Sequence, residues 1–310
     1  MDVVFYVCVS SFETKFRKSN IMDLQGVYTA LVTPFRNGKV DYKAFEALLE
    51  RQIAGKVAGV VPVGTTGESP TLSNEEHVEV IARTVEIVNG RCQVIAGSGA
   101  NSTEEAIYLT NEAKAAGADA TLQVTPYYNK PTQEGIYRHF STVAEKCGLP
   151  VVLYNVPGRA GVPIAVETIA RLAANPLMAA VKEAGGSVDR VSAIKDCCDI
   201  TVLSGDDSLT LPMMAVGASG IISVASNIIP GELSEMTALA LKGDFAGALK
   251  YHRKYYALFR DLFVESNPIP VKAAMALRGE ISCEYRLPLC ELSAAHQEVL
   301  TATLKQCGLL

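Results

Sequence analysis

The chain has 310 residues, 49% of them hydrophobic and 20% charged, with a net charge of −5 and no tryptophan. So large an apolar fraction excludes disorder, because enough surface can be buried to offset chain entropy. The mildly acidic balance excludes a nucleic-acid groove, which needs a basic footprint, and leaves small molecules or further copies of the chain as partners.

The opening stretch MDVVFYVCVSSF is apolar, but the basic cluster Lys15, Arg17 and Lys18 follows it, the reverse of a secretory signal. It is also far shorter than the ~20 residues that span a bilayer, so no membrane association is expected. Residues 1–23 are expected to lie outside the fold, either as a dispensable stretch ahead of Met22 or as a short arm docking on a neighbouring subunit.

From Gly26 onward, short apolar runs alternate with longer amphipathic stretches. The runs at 27–33, 58–64, 93–98, 120–125, 151–156, 179–183, 201–205 and 220–225 read as strands. Their unbroken apolar character is what strands covered on both faces require. Asp41, Ser73 and Ser102 each precede a helical pattern, and Ser73-x-x-Glu76 and Ser102-x-x-Glu105 fit capping boxes. Eight strand-then-helix units predict an α/β fold, a (β/α)8 TIM barrel over 24–240. A doubly wound open sheet is the alternative, but no GxGxxG follows the first strand. Residues 241–310 carry helical patterns only and are expected to form a C-terminal helical region packed on the barrel.

The eight cysteines and four histidines show no spacing typical of metal ligands, so no metal is expected. Chemistry in such barrels sits at the carboxyl ends of the strands. There the sequence delivers Gly64-Thr65-Thr66-Gly67-Glu68, Thr125-Pro126-Tyr127-Tyr128-Asn129, Tyr154-Asn155-Val156-Pro157-Gly158-Arg159, Lys182-Glu183, Gly205-Asp206-Asp207 and Ile222-Ser223. Lys182 has apolar neighbours that would strip water from an ammonium and favour the neutral, nucleophilic amine. Such an amine inside a barrel forms a Schiff base with a ketone. A surface lysine on a frayed strand end is the competing reading of that segment alone. Thr65 and Thr66, flanked by glycines, can offer hydroxyls and backbone N–H groups to a carboxylate, or form an ordinary turn. Tyr154 and Tyr128 are candidate proton carriers or packing residues, and Arg159 is either a fork for a carboxylate or a solvated loop side chain.

Taken in order, Gly-Thr-Thr-Gly-Glu at 64–68, Thr-Pro-Tyr-Tyr-Asn at 125–129, Tyr-Asn-Val-Pro-Gly-Arg at 154–159, Val-Lys-Glu at 181–183 and Ser-Gly-Asp-Asp at 204–207 resemble the 4-hydroxy-tetrahydrodipicolinate (dihydrodipicolinate) synthase family. FVESNPIPVK (263–272) and RLPL (286–289) extend the resemblance to about 24–310. The family belongs to the class I, lysine-dependent aldolases and lyases. Its sialic-acid lyase relatives usually carry Gly-Ser-Thr in place of Gly64-Thr65-Thr66 and lack the arginine matching Arg159. Some relatives acting on other 2-keto acids share the threonines, so a Schiff-base aldolase for a sugar acid stays open, as does a non-catalytic keto-acid or lysine sensor.

The resemblance implies that Lys182 forms the imine with pyruvate and that Thr65 and Thr66 hold its carboxylate. It implies a proton relay of Tyr154, Thr66 and Tyr128, the last supplied by the adjacent subunit of a tight dimer. Arg159 would receive the carboxylate of L-aspartate 4-semialdehyde, while main-chain groups of Gly205 and Ile222 line the pyruvate pocket. A cytoplasmic homotetramer, built as a dimer of dimers, working without an organic cofactor and feeding diaminopimelate and lysine synthesis, is the family expectation. Ser69, His77, Asn101, Glu105 and Tyr127 resemble the site where some members are inhibited by L-lysine, whereas Pro70 and Asn74 depart from it.

Overall fold

The computed structural model describes residues 22–310. Eight parallel strands, β1 (Gly26–Ala30), β2 (Gly59–Val61), β3 (Gln93–Gly97), β4 (Ala120–Val124), β5 (Val151–Asn155), β6 (Met178–Glu183), β7 (Thr201–Ser204) and β8 (Gly220–Ser223), follow one another around a ring. β1 pairs with both β2 and β8, which closes the barrel and rules out the open doubly wound sheet. Most strands end one to three residues short of the sequence-predicted limits. β2 stops at Val61 because Pro62 has no N–H to pair and Val63 turns to a φ of +49°, so the chain leaves the ladder where the Gly-Thr-Thr-Gly loop begins.

Side chains alternate across each strand. Tyr28, Ala30, Val61, Ile95, Leu122, Val152, Tyr154, Ala180, Leu203 and Ile222 belong to one cluster drawn from every strand, which only the barrel interior can assemble. The intervening Val27, Val60, Val94, Leu153, Val181, Val202 and Ile221 pack against the surrounding helices. Each such fully buried side chain contributes ~1.5–3 kcal/mol relative to exposure, and the two-sided burial explains the unbroken apolar runs.

Asp41 caps helix Tyr42–Ala54 by accepting from the Ala44 N–H. Ser73 and Glu76 satisfy each other's backbone donors at the start of Asn74–Val88, a complete capping box. The second expected box closes only halfway: Ser102 accepts from Glu105 N at 3.5 Å, but no return bond from the Ser102 N–H to the Glu105 carboxylate forms. Glu105 is thereby left free for other contacts.

Beyond the barrel helix Pro230–Leu241 run Phe245–Asp261, Ile269–Leu277 and Ala294–Gln306. The middle one, although outside the eight repeats, is buried through Ile269–Met275. The expectation about residues 1–23 falls outside the described residues as far as residue 21. Met22 packs against the barrel interior, and the Asp23 carbonyl accepts from Gln93 Nε2 at 3.3 Å. No helix among the described residues is long and apolar enough to cross a membrane, and none of their His, Cys, Asp and Glu side chains group as a metal site.

Candidate active site

Lys182 lies two residues beyond the inward-facing Ala180 on β6, so strand alternation turns it into the barrel. The ladder between β5 and β6 sets Tyr154 directly opposite it. Lys182 Nζ sits 4.3 Å from the Tyr154 ring centroid, and the lysine is only 6% exposed. It makes no ion pair with any described residue. The other buried lysine among the described residues, Lys272, is instead locked in an ion pair with Glu68, with both side chains fully buried. Of the two, only Lys182 has an amine free of a carboxylate.

The next residue, Glu183, faces the opposite way and is saturated. It accepts both contacts from Asn155 Nδ2, at 2.8 and 3.0 Å, together with Gly185 N at 2.7 Å and Arg190 Nε at 3.1 Å. Because Asn155 and Glu183 also face each other in the ladder, this bonded pair clamps the ends of β5 and β6 one residue beyond the Tyr154 and Lys182 pair. Gly205 closes the other side. A Cβ there would lie 3.1 Å from Lys182 Cε and 2.6 Å from Ala184 Cβ, so only glycine admits the lysine stem. Ile222 is fully buried in the interior cluster.

The Gly64–Glu68 loop is bent at both ends. Val63 and Glu68 hold positive φ values of +49° and +56°, an unusual conformation above all for a β-branched valine. Gly67 N and Ser69 N both bond Gly64 O, at 3.1 and 3.3 Å, and Thr33 Oγ1 donates to Gly67 O at 2.7 Å. The bend presents Thr65, half-buried, and Thr66, 3% exposed. Thr66 Oγ1 accepts from Asn267 Nδ2 at 2.9 Å.

Arg159 sits in the short turn after Pro157 and, among the described residues, forms no ion pair; its guanidinium donates once to them, from Nη2 to Asn267 O at 3.1 Å. Most of its donors therefore remain available to an anion. A cavity of about 230 Å³ joins Gly64, Thr65, Tyr154 and Arg159 with Ser69, Pro70 and Tyr127. Lys182 and Thr66 are not among its lining residues; Lys182 adjoins the cavity through Tyr154, whose ring centroid is 4.3 Å from Nζ, and Arg159 stands at the wall with no ion pair among the described residues.

Tyr128 is the exception. It is 91% exposed with a φ of +71°, so within its own chain it touches almost nothing. Of the five residues matched to a lysine site, Ser69 and Tyr127 line the cavity, and His77, Asn101 and Glu105 adjoin those two. His77 bonds Gly97 O through Nε2 at 2.8 Å, leaving Nδ1 to face Ser69 Oγ at 3.4 Å. Burial pushes its imidazole below the usual range, so it is neutral with Nε2 as donor. Asn101 Nδ2 donates to Tyr127 O at 3.2 Å, and burial, followed by the nearby Glu105 charge, raises the Tyr127 phenol.

Sequence reasoning attached no role to Asn267, Lys272, Asn155 or Glu183. Each lay inside a quoted motif, which was the available signal, but their partners are set by the fold. Asp207, also unassigned, ties β7 to β8 by accepting from Ser223 Oγ and from the backbone of Val224 and Ala225.

Residues 23–307 match the model of the dihydrodipicolinate synthetase family. A 4-hydroxy-tetrahydrodipicolinate synthase of Thermodesulfovibrio yellowstonii is 51% identical over 288 residues, covering 92% of this chain and 99% of that one. The structure of the 4-hydroxy-tetrahydrodipicolinate synthase of Methylacidiphilum fumariolicum is 51% identical, with a TM-score of 0.91 over 92% of this chain and 96% of that one. A chloride-inhibited dihydrodipicolinate synthase of Acinetobacter baumannii, crystallised with pyruvate, is 47% identical with a TM-score of 0.91, covering 93% and 100%.

Proposed function

The chain belongs to the dihydrodipicolinate synthetase family and is a lyase, and from that premise we propose that it condenses pyruvate with L-aspartate 4-semialdehyde through a Schiff base on Lys182 to give 4-hydroxy-tetrahydrodipicolinate, in the diaminopimelate route to lysine. The observation that carries the reading is the buried amine of Lys182, without an ion pair among the described residues, 4.3 Å from the ring of Tyr154, which itself lines a cavity together with Thr65 and Arg159.

In this mechanism the Lys182 amine adds to the C2 carbonyl of pyruvate, and water leaves to form an iminium. The iminium draws electrons from C3, which loses a proton; the resulting enamine attacks the aldehyde carbon of the semialdehyde. The semialdehyde amine then displaces Lys182 at C2, closing the ring. One water is released per turnover, and the free lysine is regenerated. Tyr154 and Thr66 carry protons, Thr65 and Thr66 hold the pyruvate carboxylate, the backbone of Gly205 and Ile222 lines the pyruvate, and Arg159 receives the semialdehyde carboxylate as a planar fork.

The relay is completed by Tyr128 of a second subunit. Its near-complete exposure and positive φ favour that reading, because an aromatic side chain held so far from its own chain has a function only against another. The working form is then a cytoplasmic dimer of dimers, with residues 24–240 as catalytic barrel and 241–310 as its helical support. L-Lysine binds at Ser69, His77, Asn101, Glu105 and Tyr127; their clustering beside the cavity and the uncapped Glu105 carboxylate support the site. Calorimetric titration with L-lysine checks it, and no heat with unchanged activity would remove it.

The main test is borohydride reduction with pyruvate followed by peptide mapping. A pyruvyl adduct on Lys182 is expected and its absence overturns the mechanism, while Lys182→Arg forms none because guanidinium stays protonated. Turnover with the semialdehyde against sugar-acid partners then decides the second substrate.

A further inference from the structure

Two residues of the proposed site belong to different halves of the reaction, Thr66 to proton transfer and Arg159 to binding of the second substrate. Both are held by one residue that comes from neither a barrel strand nor a strand-end loop. Asn267 donates from Nδ2 to Thr66 Oγ1 at 2.9 Å and accepts Arg159 Nη2 on its backbone carbonyl at 3.1 Å. It is 6% exposed, and its Oδ1 is buried with no hydrogen-bond partner among the described residues.

The donation has a direction. A threonine hydroxyl has one hydrogen and two acceptor positions. With Asn267 filling an acceptor position, and no other partner for Thr66 Oγ1 among the described residues, the Thr66 hydrogen is free to be given to a substrate or relay atom. The segment behind Asn267 is anchored: Lys272 pairs with Glu68 at the far end of the same loop that carries Thr66, and Arg286 N donates to Glu68 Oε2 at 3.2 Å. Asn267 is thereby fixed to the loop it orients.

We propose that Asn267 is a positioning residue for both halves of the reaction, its side-chain amide setting the direction of the Thr66 hydroxyl in proton transfer at pyruvate C3 and its carbonyl holding the Arg159 fork. This rests on the reaction proposed above. The two functions use different atoms of one residue, so they separate experimentally. Asn267→Ala removes the amide and keeps the carbonyl; Asn267→Asp keeps size and shape but cannot donate.

Three readouts on wild type and both variants test it: the borohydride-trapped pyruvyl adduct, exchange of deuterium from D2O into the pyruvate methyl group without semialdehyde, and steady-state kinetics with the semialdehyde. Both variants are expected to form the adduct fully and to lose methyl exchange by about tenfold or more, as for a disrupted proton carrier. Asn267→Ala keeps its semialdehyde KM within about threefold, since the carbonyl that holds Arg159 remains. Combining Thr66→Val with Asn267→Ala costs no more exchange than Thr66→Val alone, because one acts through the other. Exchange at the wild-type rate in a folded variant overturns the proposal, as does parallel loss of adduct, exchange and semialdehyde binding. Absence of adduct or turnover in the wild type instead overturns the reaction itself.

Discussion

Tyr154 and Lys182 face each other across adjacent parallel strands, the amine 4.3 Å from the phenol ring centroid, and Gly205 supports the lysine stem from the other side. The geometry leaves no room for a methyl group. Gly205→Ala brings a Cβ to 3.1 Å from Lys182 Cε and 2.6 Å from Ala184 Cβ. It is expected to cost ~1–3 kcal/mol in stability by overpacking and to lower kcat by roughly 100-fold through displacement of the amine. Denaturant unfolding and steady-state kinetics measure the two effects; a fully active variant would show that the stem does not depend on this glycine.

Tyr128 reaches solvent in its own chain and therefore acts across a dimer or not at all. Tyr128→Phe and Lys182→Ala homo-oligomers are each expected to be at least ~100-fold impaired. Mixed under conditions of subunit exchange, they form hybrids in which the intact lysine of one protomer meets the intact tyrosine of the other, restoring about a quarter of the wild-type sites in a random two-fold pairing. Mixtures that stay inactive although exchange is verified by mass spectrometry would place the relay tyrosine elsewhere.

Glu68 and Lys272 are both fully buried, so neither charge tolerates loss of the other. Glu68→Gln is expected to destabilise the fold by about 3–5 kcal/mol by stranding the ammonium. The double variant Glu68→Gln, Lys272→Met recovers much of this, since no charge is then left buried. Denaturant midpoints of the two singles and the double test the coupling, and additive losses would argue against it.

His139 packs in helix Gln133–Cys147 with Nδ1 2.9 Å from Thr103 Oγ1, and burial pushes its imidazole down from 6.5 to about 4. The native state then binds fewer protons than the unfolded chain between those values. Its contribution is full above pH 6.5 and is lost as pH falls towards 4, on the order of 3 kcal/mol in all. Asp207 has the opposite sign: burial raises it from 3.8 to about 6, so its contribution is present at low pH and lost as pH rises through that range. The difference between wild type and His139→Gln isolates the histidine. Urea unfolding from pH 4 to pH 7 should show the variant lacking that part of the acid slope, and parallel curves would contradict it.

Much of this molecule was legible in its sequence. Strand and helix follow from periodicity over a few residues, and eight repeats of that local pattern imply a parallel sheet covered by helices, because parallel strands buried on both faces need a helix after each one; that the sheet closes is decided by the pairing of β1 with β8. The candidate motifs sit at strand ends for the same reason, so Lys182, Tyr154, Thr65, Thr66 and Arg159 stand out in the sequence as candidates. Tertiary structure decided what local pattern does not contain. The Ser102-x-x-Glu105 spacing matches Ser73-x-x-Glu76, yet only the latter closes as a full box. Two lysines are buried among the described residues, and which of them keeps a free amine depends on the distant partner of the other. Asn267 reaches Thr66 across 201 residues of chain. A hydrogen bond of that span is made only by packing the C-terminal helices on the barrel, and nothing in the residues flanking either partner encodes it.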